Sequence, residues 1–187
     1  MSTYLEIEYK ILLSEVMYHQ ILSDYRLDII NQYTQTNYYI MHQLLDTHRF
    51  MLRIREKQGT YELTLKEPMK EGNLETNLTL TKDEAIAILH KQYIKNSIFE
   101  KLSFLSIPVQ DFDTTHSMQT LRTDINHPLG ILSLDKNYYQ DVIDYELELE
   151  VHDNKLGQQA FVQLLNTYGV SYQQNCPSKI KRLKQLL

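Results

Sequence analysis

Charged residues recur at every second position in several stretches of the chain, and their types sort by stretch. Glu6, Glu8 and Lys10 alternate with Ile7 and Tyr9, while Arg53, Arg55 and Lys57 bracket Ile54. Glu62, Thr64 and Lys66 alternate with Leu63 and Leu65. Glu75 with Asn77, Arg122 with Asp124, Ser133 with Asp135, and Glu146 with Glu148 and Glu150 continue the pattern. In an extended chain residues i and i+2 share a face, about 6.5–7 Å apart. Three acids on one strand, or two arginines on another, repel one another unless an ion of opposite sign lies between them. Glutamate oxygens recruit hard cations such as Mg²⁺, and paired guanidinium groups grip phosphate oxygens in bidentate fashion. A lining that carries both sets suits a metal–polyphosphate complex.

The elements that must position these residues are mostly strands. The alternation predicts strands over 4–12, 37–46, 50–57, 60–67, 74–80, 117–125, 131–138 and 142–152. Gln58-Gly59 and Gly72-Asn73 supply turns, so the order is meander-like and the pairing antiparallel. Helices fall around them. Ser14 caps a helix to about Tyr25, and Thr81 with Glu84 forms a capping box. Further helices are expected over 97–105, from Asp153 or Asn154 to about Tyr168, and over 179–187 behind Ser178. Nearly every strand is ionic on one side and apolar on the other, and amphipathic helices are available for the apolar sides. Eight strands can close into a barrel, which removes exposed edges. With helices outside, the charged face becomes an interior that is tolerable only when wet and occupied by ions.

Composition narrows the remaining choices. The chain has 187 residues with 42% hydrophobic content, enough for one domain with a real core. A net charge of −5 argues against bulk nucleic-acid binding as the main task. No apolar run approaches a membrane span, charges begin at Glu6, and Cys176 is the lone cysteine, so a cytoplasmic protein without disulfides is expected. No internal repeat is visible. The seven histidines show no zinc-like spacing, no glycine-rich phosphate loop is present, and Cys176 has no indicated catalytic partner. The cluster Lys179, Lys181, Arg182 and Lys184 reads as a solvated helix face with Lys179 turned inward.

Glu6-Ile7-Glu8-Tyr9-Lys10 resembles the ExExK signature of the CYTH proteins, the triphosphate tunnel metalloenzymes. The family takes its name from class IV adenylate cyclase and thiamine triphosphatase. Arg53-Ile54-Arg55 is similar to its RxR element, Thr64-Leu65-Lys66 to the strand lysine, and Glu75 to the acid that follows. Arg122, Asp135, Glu146-Leu147-Glu148 and Ser178-Lys179 match the later positions in order, so the likeness runs from residue 6 to 182. It implies an α+β chain, a single CYTH domain over residues 1–187, with an eight-stranded antiparallel barrel enclosing a tunnel and helices outside.

The resemblance also implies roles. Glu6, Glu8, Glu146 and Glu148 would hold Mg²⁺ or Mn²⁺; Lys10, Arg53, Arg55, Lys66, Arg122 and Lys179 would grip phosphates. Glu75 and Asp135 would orient basic side chains or a metal-bound water; for the hydrolysis itself, Lys66 or another lysine is the expected aid to proton transfer. Glu150 leaves open a Glu148/Glu150 metal pair, though Glu146/Glu148 is preferred, and what Asn77 reads is open. The expected activity is hydrolysis of a small triphosphate, inorganic or organic, by a metal-bound water. The alternatives are cyclisation of ATP to cyclic AMP, and a non-catalytic polyphosphate or nucleotide-binding module. The expected partner is the small-molecule triphosphate, with no membrane.

Overall fold

The computed structural model describes residues 1–187. Its elements are β1 (Ser2–Leu13), α1 (Glu15–Asp24), β2 (Ile29–Met41), α2 (Gln43–Thr47), β3 (Met51–Lys57), β4 (Thr60–Pro68) and β5 (Asn73–Leu80). They continue as α3 (Lys82–Leu89), α4 (Ser97–Phe104), β6 (Asp113–His127), β7 (Gly130–Tyr139), β8 (Val142–Val151), α5 (Asn154–Thr167) and α6 (Lys179–Lys184). The strands close into a barrel in the order β1-β5-β4-β3-β2-β6-β7-β8. The registers of β1 with β8, β2 with β3, β3 with β4, β4 with β5, β6 with β7 and β7 with β8 are all antiparallel. The expected barrel is therefore present, with a few expected boundaries displaced.

The second strand runs over Ile29–Met41 rather than 37–46. Its early residues, Asn31 to Thr36, are polar on both faces, so no amphipathic alternation announces it. It stops where the His42 ring accepts a hydrogen bond from the Leu44 N–H and caps α2. β6 likewise begins at Asp113, ahead of the expected Ser117, through a polar run with no apolar partner residues. The Gln58-Gly59 turn has φ of 51° and 80°, the left-handed pair that matches the twist of a two-residue hairpin.

The chain gathers into two compact units, residues 1–5 with 35–118, and residues 6–34 with 119–187. In the first, Ile40, Leu52, Ile54, Leu63 and Leu65 on the strands meet Ala85, Ile88, Phe99 and Leu102 on α3 and α4 in one apolar cluster. In the second, Tyr9, Ile125, Leu132, Leu134, Leu147 and Leu149 meet Tyr18 and Ile21 of α1 and Phe161, Leu164 and Leu165 of α5. In each unit the helices thus cover the apolar strand faces, and alternation turns Arg53, Thr64, Asp135, Glu146 and Glu148 to the opposite face, where they too are buried.

The β7–β8 hairpin starts at Gly130, where a Cβ would lie 1.8 Å from the Glu150 carbonyl oxygen, a backbone atom that cannot give way. Gly130→Ala must push the two strands apart at the Gly130–Val151 end of the ladder that aligns Asp135 with Glu146. We expect it to cost about 3 kcal/mol in urea unfolding; a loss below about 1 kcal/mol would show that the close approach is not needed.

Candidate active site

Register places three bases opposite acids and one acid, Glu146, opposite another. Lys66 on β4 faces Glu75 on β5, Arg122 on β6 faces Asp135 on β7, Asp135 faces Glu146 on β8, and Lys10 on β1 faces Glu148. Lys10, Lys66 and Arg122 are thereby answered across the sheet, whereas Glu146 is met from outside it, by Lys179 and Arg182 of α6.

In the first unit Lys66 Nζ lies 2.7 Å from Glu75 Oε2. The other carboxylate oxygen, Oε1, accepts from Asn77 Nδ2 at 2.8 Å and from the Tyr4 hydroxyl at 3.0 Å. Asn77 is fixed in turn, because its Oδ1 accepts from the Thr64 hydroxyl at 2.7 Å. Burial alone would push the Glu75 carboxyl up, but Lys66 and then Arg53 outweigh it and hold it down at about 2. Arg53 is itself buried, and Arg55 donates from Nε to Asn37 Oδ1 at 2.9 Å. Asn77, whose task the residues alone left open, is a clamp on Glu75.

The second unit holds a denser network. Arg122 grips Asp135 with two parallel bonds, Nε to Oδ1 at 2.8 Å and Nη2 to Oδ2 at 2.6 Å, and also reaches Glu148. Lys179, at the start of α6, stands 2.8 Å from Asp135 Oδ2, 2.7 Å from Glu148 Oε1 and 3.2 Å from Glu146 Oε2. Against the cost of burial, these acids raise Lys179 and Arg122 well above their ordinary values, so both stay charged. Burial also opposes ionisation of Glu148 and Asp135, yet the same cations keep both carboxyls low. Lys10 pairs with Glu8. Asn175 fixes the backbone there, with Nδ2 donating to Glu8 O at 2.9 Å and Oδ1 accepting from Lys10 N at 2.7 Å.

Glu146 differs from the other acids. Burial, with Glu148 beside it, lifts its carboxyl to about 7 despite Lys179, and its buried Oε1 has no hydrogen-bond partner. A carboxylate oxygen without a partner, two residues from a second carboxylate, is chemistry that fits a hard divalent cation. Glu146 and Glu148 are buried on the charged face, whereas Glu150 is exposed. Glu6 is buried and Glu8 half-buried on β1, but no three carboxylates converge into a ready-made metal cluster.

Two residues of this network escaped the sequence reading. Arg182 is buried, donating to Asp144 at 2.8 Å, to Glu146 at 2.5 Å and to the Pro177 carbonyl at 2.6 Å, which corrects the expectation of a solvated position. The signal was its spacing, since i and i+3 share a helix face and Lys179 was already turned inward. Asp144 was legible by carrying the Glu146–Glu148 alternation one step back. It also accepts from Asn137 Nδ2 at 2.9 Å and the Tyr139 hydroxyl at 2.6 Å. Burial pushes the Cys176 thiol up to about 12, so it stays protonated and poorly nucleophilic at neutral pH.

A short arrangement also recurs, where none was expected. Thr64-Leu65-Lys66 faces Glu75-Thr76-Asn77 with Thr64 opposite Asn77 and Lys66 opposite Glu75. Thr120-Leu121-Arg122 faces Asp135-Lys136-Asn137 in the same register, and the Thr120 hydroxyl again donates to the asparagine Oδ1 at 2.7 Å.

A closed barrel whose strands carry buried, mutually neutralising acids and bases defines a charged-lumen protein built for a polyanion. The chain belongs to the CYTH domain family, whose model matches residues 4–183. It is 32% identical over 189 residues to YjbK of Bacillus subtilis (strain 168), assigned provisionally as a triphosphatase, covering 97% of this chain and 95% of that one. A crystal structure from Bacillus halodurans, assigned provisionally as an adenylate cyclase, superposes with a TM-score of 0.88 at 32% identity over 97% of this chain and 98% of that one. HpAC1 from Hippeastrum, a provisional adenylyl cyclase described with a dominant triphosphatase activity, superposes at 0.79 with 21% identity over 97% and 96% of the two chains, a likeness of fold. No helix is long and apolar enough to cross a membrane.

Glu75 provides a pH test. Its folded value, about 2, lies below the unfolded carboxylate value, so its stabilisation is present above about pH 4.3 and lost as pH falls toward 2. Glu75→Gln is expected to lower stability by about 3 kcal/mol at pH 7, with the gap to wild type closing between pH 4 and 2 in urea melts. A gap unchanged across that range would mean that the ion pair is not its source.

Proposed function

We propose that this chain is a metal-dependent triphosphatase, cleaving a phosphoanhydride bond of inorganic tripolyphosphate or of a small organic triphosphate such as thiamine triphosphate or a nucleotide. The observation that carries the reading is the inward cation set, buried Arg53 and half-buried Lys66 in one unit, and buried Lys10 and Lys179 with half-buried Arg122 in the other. Barrel stability does not call for such a set, since apolar pairs of similar volume serve as well or better. A polyanion does call for it. The 32% identity to YjbK supports the same assignment.

The chemistry follows from how each base is held. Glu75 and Asp135 fix Lys66 and Arg122 from behind, so neither reorganises when phosphate arrives. Arg122 uses Nε and Nη2 on carboxylates, which leaves its Nη1 N–H groups for phosphate oxygens. Lys179, bound to three acids, can exchange a carboxylate for a phosphate oxygen without losing charge compensation. Held in line and shielded, the terminal phosphorus is open to attack by water, and the departing oxygen stays within the grip of the same bases. Mg²⁺ or Mn²⁺ held by Glu146 and Glu148, with Glu6 and Glu8 on β1, would offset phosphate charge and polarise the terminal phosphorus. Lys66, with Glu75 behind it, is the lysine we assign to proton transfer.

Cyclisation of ATP is the second reading, drawn from the provisional assignment of the Bacillus halodurans relative. The assay offers tripolyphosphate, thiamine triphosphate and ATP to the purified chain, with Mg²⁺, with Mn²⁺ and with chelator. Orthophosphate release that needs metal is expected, with Glu148→Ala at least about 100-fold slower and Lys179→Ala raised mainly in KM. Cyclic AMP and pyrophosphate as the main products from ATP would assign the cyclase instead. Tight binding without turnover would assign a binding module.

A further inference from the structure

β2 carries two amides on the charged face, Gln35 and Asn37, of which only the Asn37 oxygen is engaged, by Arg55. Tyr38 and Ile40 point to the apolar cluster, so Gln35, Asn37 and Tyr39 point the other way. Register sets Gln35 opposite Lys57, Asn37 opposite Arg55 and Tyr39 opposite Arg53. Gln35 is 1% exposed and Asn37 fully buried.

Most of their hydrogen-bonding capacity is unspent. Neither Nε2 nor Oε1 of Gln35 has a partner, and neither Asn37 Nδ2 nor Arg53 Nε has an acceptor. Asn37 is not free to turn, because its Oδ1 holds Arg55 Nε at 2.9 Å, which leaves Nδ2 as a fixed donor. Stranding amide groups away from water is unfavourable, and native structures leave few such groups unpaired. Four stranded atoms on adjoining strands, three of them N–H donors, describe a place shaped for something that brings acceptors.

We propose that Gln35 and Asn37 are substrate-binding residues, forming with Arg53 a donor-rich subsite on β2 and β3 that takes one phosphoryl group of the triphosphate. Gln35 Nε2, Asn37 Nδ2 and Arg53 Nε donate to its oxygens. Gln35 Oε1 accepts from a hydroxyl or water carried on the same group. Neutral donors add hydrogen bonds without adding charge, so they strengthen the grip without further repulsion between Arg53 and Arg55. This assignment rests on the triphosphate reading given above.

The test uses the whole chain with sodium tripolyphosphate and a chelator, which prevents turnover. Gln35→Met fills the same volume with apolar atoms. The proposal predicts that it melts higher than wild type without ligand, since a stranded amide is gone, yet binds tripolyphosphate at least about tenfold more weakly by calorimetry. Asn37→Asp keeps the acceptor for Arg55 and replaces the donor with a negative charge, and is expected to bind more weakly still. Should the variants not fold, the side-chain amide resonances of Gln35 and Asn37 in wild type supply a second readout, expected to shift when tripolyphosphate is added. If wild type binds while Gln35→Met matches it within twofold, or while both amide resonances stay in place, the subsite is overturned and the triphosphate reading stands. If wild type binds no tripolyphosphate under chelator, the subsite is overturned, and the functional reading falls with it only when no orthophosphate is released in the presence of Mg²⁺ either.

Discussion

Removing a carboxylate or an ammonium group from water costs several kcal/mol per ion unless a counter-charge and hydrogen bonds replace what water supplied. The inner strand faces bear that cost repeatedly, and the register of the sheet meets it. Lys66 faces Glu75, Arg122 faces Asp135 and Lys10 faces Glu148, so these charges are matched across one strand spacing. Glu146, opposite Asp135, is matched by Lys179 and Arg182 of α6. A slip of one residue would send every charge into the apolar clusters and every leucine into the lumen. Charge pairing and hydrophobic burial therefore select the same alignment, and neither is satisfied without the other.

The two hairpins that share the Thr–base and acid–Asn arrangement show how such pairs are made rigid. In both, a threonine hydroxyl occupies the asparagine Oδ1 and so commits its amide N–H groups to a carboxylate, Glu75 in one case and Asp144 in the other. A tyrosine hydroxyl and a base complete the shell of that carboxylate, Tyr4 with Lys66 and Tyr139 with Arg182. The acids are thus held on three sides, and a base resting on a fixed acid is itself positioned before any phosphate enters.

Much of this was legible from residue types alone because period-two alternation is strong where one face is ionic and the other apolar. β1, β4 and β8 declare themselves in that way, and the ordered acids and bases sufficed to suggest the family. β2 did not, since its polar residues lie on both faces and its charged-side groups are amides, which carry no charge pattern. Arg182 was hidden for a different reason: a basic cluster on a short helix reads as solvated until Asp144 and Glu146 are seen against it. The recurring Thr–Asn arrangement could not be read at all, because three-residue matches mean nothing until register puts them face to face. What linear order concealed was cross-strand pairing, the one property that belongs to two strands at once.

Lys179 and Arg182 come later in the chain than every acid they neutralise. As the polypeptide leaves the ribosome, Asp135, Asp144, Glu146 and Glu148 emerge roughly thirty to forty-five residues before these two cations, about two to nine seconds at ordinary rates of synthesis. During that interval the last hairpin is a strip of mutually repelling carboxylates, with only Arg122 and Lys10 to offset them. Docking of α6 then brings two positive charges against that hairpin, so the last helix supplies compensation that its acids lack until the chain is nearly finished.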